Sequence, residues 1–453
     1  MSKKLTEDSL IKNLLYTSVP TMIGFGAQML YDIVDLFWIG MISSQAVASV
    51  TIFSTLFWVV EAFNEIIGTS SVSLISQNFG RNDIKRTEQA IEQTMTFKFL
   101  VALLAALATA LFLKPLLSFF SPEQSIINYA MEYGYIRLFF LPIMFSSYTV
   151  NTALRCIGDA KTPMVIMIIV SIMNMVLDPL FMFKVIPGTS IPGLNLGVFG
   201  AALATIITQT TAFLIGFYVL FSGKAGIKPS IKGLFKLDRE LDIKLITIGL
   251  PSGMEVFMKN IFNVVSLKFV SMFGTAAVAA SGFASKIFGM GFMPLIGLSI
   301  SGSAIVGQAL GNEDVKLARR ASNISGRIGV AIMACFTFFS VLFGQQIIGV
   351  FTNDAQVIKY GADFLNYGSF GLIFLAYSFG ITAAFSGSGY MLPVFVSSTV
   401  SRWAVQLPVM VMGVYLFKDI FWVWLAWMFG DVSELAVNYI FYKKSQWYKK
   451  RVH

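Results

Sequence analysis

The sequence predicts an all-α, polytopic membrane protein made of two similar halves of six helices each. Three observations carry the prediction: overall composition, the length of the apolar runs and an internal repeat. Of 453 residues, 56% are hydrophobic and 13% charged, and mean hydropathy is +0.73. That balance is too apolar for an ordinary water-soluble domain. Crossing a hydrocarbon core about 30 Å thick takes about 20 helical residues. Stretches of at least that length lie near 14–40, 46–75, 92–118, 125–153, 162–185, 196–222, 243–272, 276–307, 322–350, 355–386, 392–416 and 419–442. The repeat shows when SQNFGRNDIKR (76–86) is set beside GQALGNEDVKL (307–317), with Gln77 over Gln308, Gly80 over Gly311, Asp83 over Asp314 and Lys85 over Lys316. The same offset carries Pro20 to Pro251, and TALRCIGDAKTP (152–163) meets TAAFSGSGYMLP (382–393) one residue closer. An even number of helices per half gives both halves one orientation, related by an axis along the membrane normal, with a transport cleft expected at their interface.

The elements follow in order. The polar start, MSKKLTEDSLIKN, leads into an apolar run too long for a signal-peptide core and without a clean small-residue cleavage site, so the first helix is expected to be retained. Lys3, Lys4 and Lys12 precede it, and Arg81, Lys85 and Arg86 follow the second segment. Arg155 and Lys161 follow the fourth, and Lys316, Arg319 and Arg320 the eighth. The longest basic stretch, GKAGIKPSIKGLFKLDRELDIK, joins the sixth to the seventh, and the chain closes on YKKSQWYKKRVH. The other loops carry only scattered cations, so the positive-inside rule puts both termini in the cytoplasm of a cell-membrane protein. The expected domains are a lobe at 1–222, a basic cytoplasmic linker at 223–242, a second lobe at 243–442 and a basic tail at 443–453.

Composition also excludes functions. The net charge of +9 is accounted for by anionic lipid headgroups, without nucleic acid. Cys156 and Cys335 make no disulfide framework, and the single histidine, His453, removes histidine metal sites and histidine acid–base catalysis. No GxxxxGK[ST] pattern offers a nucleotide site, so any transport would draw on an ion gradient. Phe (43) and Met (22) are mostly bilayer composition, with some available for an adaptable apolar cleft.

The informative residues are polar ones inside apolar runs. MNMVLDPLFMF (173–183) holds Asn174, Asp178 and Pro179. An intramembrane aspartate costs about 2.5–3.5 kcal/mol on insertion scales, so a functional role is its default reading. Asn174 and Asp178 are four apart, as are Tyr31 and Asp35; Asp32 and Asp35 are three apart, so each set shares a helix face. A carboxylate held from water favours its protonated form and can load and release H⁺; ionised, it can hold Na⁺ or an organic cation. Pro179 withholds an N–H from the Met175 carbonyl, so a bend is expected beside Asp178. The plainer reading makes Asp178 a cap at an interrupted helix and puts Asp32 and Asp35 near the membrane surface.

These features together resemble the multidrug and toxic compound extrusion (MATE) family of secondary exporters over nearly the whole chain. YDIVDLFWIG (31–40), QNFGRND (77–83), LRCIGDAKTP (154–163) and NMVLDPLF (174–181) carry the resemblance, which is nearest the branch that includes DNA-damage-inducible protein F. It implies two six-helix lobes in a V, a monomer in the cell membrane, and export of hydrophobic cationic drugs against inward H⁺ or Na⁺, with no other cofactor. By the same resemblance Asp35, Asn174 and Asp178 are coupling residues, and Tyr31, Asp32, Tyr133, Asn151 and Thr205 line the cavity. A Na⁺ site would use Asp35, Asn174, Asp178 and Thr205. Asp32 stands where the family more often has Asn.

Secondary candidates are Glu61 with Glu65, a relay or merely a cleft wall, and Glu255 with Lys259, four apart and able to pair. Some relatives couple through a seventh-helix glutamate and a tenth-helix aspartate, but FGLIFLAYSFGITAAF holds no acid. Repeat positions tell the same story, since Asp35 maps to Ser266, Asn174 to Ala404 and Asp178 to Pro408. Arg402 and Gln406 are expected to make structural hydrogen bonds. Competing functions are a Na⁺-coupled exporter, a flippase for lipid-linked saccharide, and an intramembrane prenyl-transfer enzyme binding Mg²⁺ and diphosphate at DIVD (32–35). The flippase is disfavoured by twelve helices and an acidic cavity. The enzyme lacks a second acidic cluster.

Overall fold

The computed structural model describes residues 9–450 and 452; Lys3, Lys4, Arg451 and His453 lie outside them. Every one of the twelve apolar stretches is helical. In chain order the helices are α1 (Leu10–Ile42), α2 (Ser44–Gly80), α3 (Ile84–Phe120), α4 (Gln124–Phe139), α5 (Leu141–Cys156), α6 (Lys161–Met182) and α7 (Gly197–Phe221). They continue with α8 (Arg239–Ser271), α9 (Thr275–Gly311), α10 (Val315–Gly349), α11 (Ala355–Ser388), α12 (Leu392–Thr399), α13 (Leu407–Val411) and α14 (Ile420–Lys444). Ten helical stretches among the described residues are long and apolar enough to cross a membrane by length and composition, Leu392–Phe417 counting as one.

Two of the predicted segments are not single regular helices, and proline explains both. Pro142 has no N–H for the Leu138 carbonyl, so the fourth segment breaks at Phe140 into α4 and α5. Arg137 thereby falls in the last turn of α4, where the helix dipole favours a cation. Pro408 likewise leaves the Ala404 carbonyl without its usual donor. The ladder widens to π geometry over Val400–Gln406, with the Leu407 N–H donating to the Arg402 carbonyl five residues back, and again over Met412–Phe417.

The bend expected at Pro179 is corrected. Helix α6 runs through it to Met182, and the Phe183 N–H donates to the Pro179 carbonyl. The proline sits in the final turn, where the chain leaves the helix and folds back: the N–H groups of Leu194 and Leu196 donate to the carbonyls of Leu180 and Phe181, at 2.8 and 2.9 Å. The returning strand of chain takes the place of a hinge.

The chain divides into two compact units. The first contains Ile23–Ser71 and Asn82–Thr247; the second contains 9–22, Val72–Arg81 and the chain from Ile248 onward. Within the first, Phe53, Tyr133, Leu141 and Phe145 are fully buried at the core. Within the second, Phe262, Phe364 and Trp424 play that part, with Phe364 stacked on Trp424 at 4.3 Å.

Both copies of the repeat motif have one local structure. A left-handed residue (Asn82, φ 64°; Glu313, φ 60°) ends one helix, and the next aspartate caps the following one. Asp83 accepts from the Arg86 N–H, and Asp314 from the Leu317 N–H, each at 2.9 Å. In the second unit the two copies meet. Gly80 lies against the Gln308 backbone and Gly311 against the Gln77 backbone, so closely that a Cβ on either would overlap main-chain atoms. Gln77 then fastens the crossing, donating to the Gly387 carbonyl (2.9 Å) and accepting from the Val452 N–H (3.0 Å).

The basic segment between α7 and α8 is fixed to α3. Glu88 accepts from the Lys228 N–H (2.7 Å), Glu92 from the Ser230 N–H and Gln93 from the Asp238 N–H (2.9 Å), while Thr96 donates to the Leu234 carbonyl (2.7 Å). Side chains of one helix thus satisfy the backbone of an otherwise irregular stretch.

Candidate functional site

The first unit gathers most of the predicted site. On α1, Tyr31 is buried, and Asp32 and Asp35 lie within electrostatic reach of Arg137 on α4. The guanidinium donates to the Tyr133 hydroxyl at 2.7 Å and lies over the rings of Phe57 (5.0 Å) and Tyr133 (5.4 Å). Asp178 on α6 is close enough to Asp35 for their charges to repel when both are ionised. It is completely buried and neither carboxylate oxygen has a partner. Asn174, one turn earlier and 1% exposed, leaves both its amide oxygen and nitrogen unpaired, and one oxygen of Asp35 is also unpaired. Buried polar groups are nearly always satisfied. Three neighbouring side chains with open valences therefore make the candidate site, with room in their chemistry for a proton, a cation or water.

Other predicted residues are placed less directly. Thr205 is buried and spends its hydroxyl on the Ala201 carbonyl (3.1 Å), and Asn151 is half-buried on α5. Among the described residues no hydrogen bond ties either to the acids. Asp32 is exposed as a residue, and its carboxylate has Tyr31 as a hydrogen-bonding neighbour. Glu61 accepts from Asn64 (2.9 Å) and faces both Arg137 and Lys98, while Glu65 accepts from Thr69 (2.8 Å). Lys98 of α3, 1% exposed, faces both glutamates.

The second unit holds a different arrangement. Glu255 and Lys259 pair as their spacing suggests. Arg402, in the π-helical stretch, donates to Glu434 of α14 at 2.8 Å and to the Ser398 hydroxyl at 3.0 Å. Asp431, one turn before Glu434, is 9% exposed and lies against Gly371 of α11.

Sequence reasoning passed over Arg137, Lys98, Asp431 and Glu434. Each had a visible signal, a charge inside an apolar run, as in YIRLFFLP and WMFGDVSELAV. No group of three or more His, Cys, Asp or Glu side chains among the described residues is placed to hold a metal ion.

Fold and site together define a polytopic helical membrane transporter with buried ionisable groups. The MatE family pattern matches residues 20–180 and 251–412, one match in each half of the repeat, and the chain belongs to that family. Its members are transporters, so the prenyl-transfer reading of DIVD falls. The chain is 24% identical to the probable multidrug resistance protein YoeA of Bacillus subtilis (strain 168), over 100% of this chain and 97% of the relative. A MOP superfamily transporter from Pyrococcus furiosus superposes with TM-score 0.90 at 22% identity, covering 97% and 96% of the two chains. An outward-facing multidrug resistance MATE family transporter superposes with TM-score 0.88 at 23% identity and 95% coverage of both. These likenesses establish the two-lobe all-α MATE fold.

Proposed function

We propose that this chain is a secondary multidrug exporter of the cell membrane, expelling hydrophobic organic cations in exchange for protons carried by Asp35 and Asp178, and that it works as a monomer with both termini in the cytoplasm. The observation that carries the reading is the set of unpaired buried atoms on Asp35, Asn174 and Asp178. Relatives named for multidrug resistance support the cargo class. Arg137 favours H⁺ over Na⁺: a proton removes charge from the acids, whereas a sodium ion would share its surroundings with a fixed guanidinium. The cycle follows. With both carboxylates ionised the site attracts an organic cation. Protonation of the pair withdraws that attraction and releases the cation, and loss of the proton to the cytoplasm restores it.

The test is ethidium efflux from proteoliposomes with a pH gradient and a Na⁺ gradient imposed separately. Efflux driven by the pH gradient alone is expected. Efflux that follows only the Na⁺ gradient would overturn the coupling ion and leave the transporter.

A further inference from the structure

We infer that Asp431 of α14 is a second proton-carrying group, housed in the second unit, so that two protons rather than one accompany each exported cation. The inference rests on the proton-coupled reading above and concerns residues that reading does not use.

Its basis is a buried cluster with one carboxylate in excess. Arg402 is committed to Glu434 and Ser398, and Lys259 to Glu255. That leaves three acids against two bases. Asp431 is the acid left over: among the described residues no donor reaches it by hydrogen bond or ion pair, although Arg402, Glu434 and Lys259 all lie within electrostatic reach. The charged groups in and around the cluster come from α8, the π-helical stretch and α14 itself; α12, α13 and Met412–Phe417, which also pack on α14, carry none. Helix α8 supplies Lys259 and Glu255, the π-helical stretch Arg402, and α14 itself Glu434; α11 presents only Gly371, whose missing side chain makes room for the Asp431 carboxylate.

A second observation points to a ligand at the same place. Gln406, 3% exposed, lies against Gly430, the residue before Asp431, and its amide nitrogen has no acceptor. A π-helical turn carrying a charged residue and an unpaired polar group is a common setting for function. A proton on Asp431 brings the cluster to neutrality without breaking the Arg402–Glu434 pair. Its loss restores one buried negative charge, which costs enough to make the two states different in conformation. A metal cation is the poorer fit beside two fixed positive charges.

The test reads stoichiometry, which a purely structural role cannot move. In proteoliposomes at zero membrane potential, the ethidium ratio at which net flux vanishes is measured at several imposed pH differences. The logarithm of that ratio should rise with a slope of about two in the wild type and about one in Asp431→Asn, because the null point depends on coupling and not on rate. Asp431→Glu, which keeps the carboxylate, should return the slope toward two. A wild-type slope of one, or an Asp431→Asn slope of two, overturns the inference. Should Asp431→Asn not fold, the double variant Asp35→Asn/Asp178→Asn decides: a residual slope of about one leaves Asp431 as the carrier, and a null point indifferent to pH overturns the inference. A wild-type null point indifferent to pH sinks the proton-coupled reading itself, a result distinguishable from either of these.

Discussion

The two units carry buried charge in opposite ways. In the first, Asp35, Asn174 and Asp178 keep open valences beside an arginine whose hydrogen bond goes to a tyrosine. In the second, Glu434 is tied to Arg402 and Glu255 to Lys259, and among the described acids of that cluster Asp431 is left over. The repeat positions show how the divergence arose. Where α6 places Asp178, the second half has Pro408, and that proline widens the helix into the π turn that carries Arg402. The second half thus lacks the acid at this position and places a base in the π turn instead. Open valences suit a group that must change its ligand; closed pairs suit side chains that must keep their place.

The comparison breaks first at Asp178 and Asp35. Either Asp178→Asn or Asp35→Asn should lower gradient-driven ethidium efflux by about 100-fold, or roughly 2.7 kcal/mol of coupling. The double variant should be little worse, because the pair acts as a unit. Singles that transport well, with loss only in the double, would show two independent acids. Next comes Glu434→Gln, which strands Arg402. It should lower stability by about 3 kcal/mol, seen as earlier thermal unfolding in detergent, and an unchanged melting profile would deny that the pair is structural. Arg137→Met should reduce efflux about tenfold, near 1.4 kcal/mol, with Arg137→Lys restoring part of it; full activity in the methionine variant would separate the guanidinium from the site. Smallest is Glu255→Gln. Lys259 is one-third exposed, so the loss should stay below about 1 kcal/mol. At equal expression, its efflux should exceed that of Asp35→Asn. The reverse ranking would make Glu255, rather than Asp35, the principal coupling acid.

Sequence alone gave the helices, the repeat and the acids of the first unit, because each is written locally: apolar run lengths, a fixed offset, residues three or four apart. Long-range partners are not local. Nothing near Arg402 announces Glu434, 32 positions on. The break at Phe140 was hidden inside a continuous apolar run, and with it the position of Arg137 at a helix end. Pro179 misled for the converse reason. A proline is a bend in mid-helix but only a stop in the last turn, and the returning chain from 183 to 196 decides which.

The stretch between α7 and α8 also changes what the duplication means. By sequence it is the joint between two copies. Stapled to α3 through Glu88, Glu92, Gln93 and Thr96, it belongs wholly to the first unit. The chain instead passes between units inside α1 after Met22, inside α2 after Ser71, at the turn after Arg81 and inside α8 after Thr247, with Pro20 and Pro251 close to two of those passages. In evolutionary terms, the seam left by gene fusion has been absorbed into one copy. Helices α1, α2 and α8, each with residues in both units, set the register instead, and a change of one residue in their length would rotate everything beyond by about 100°.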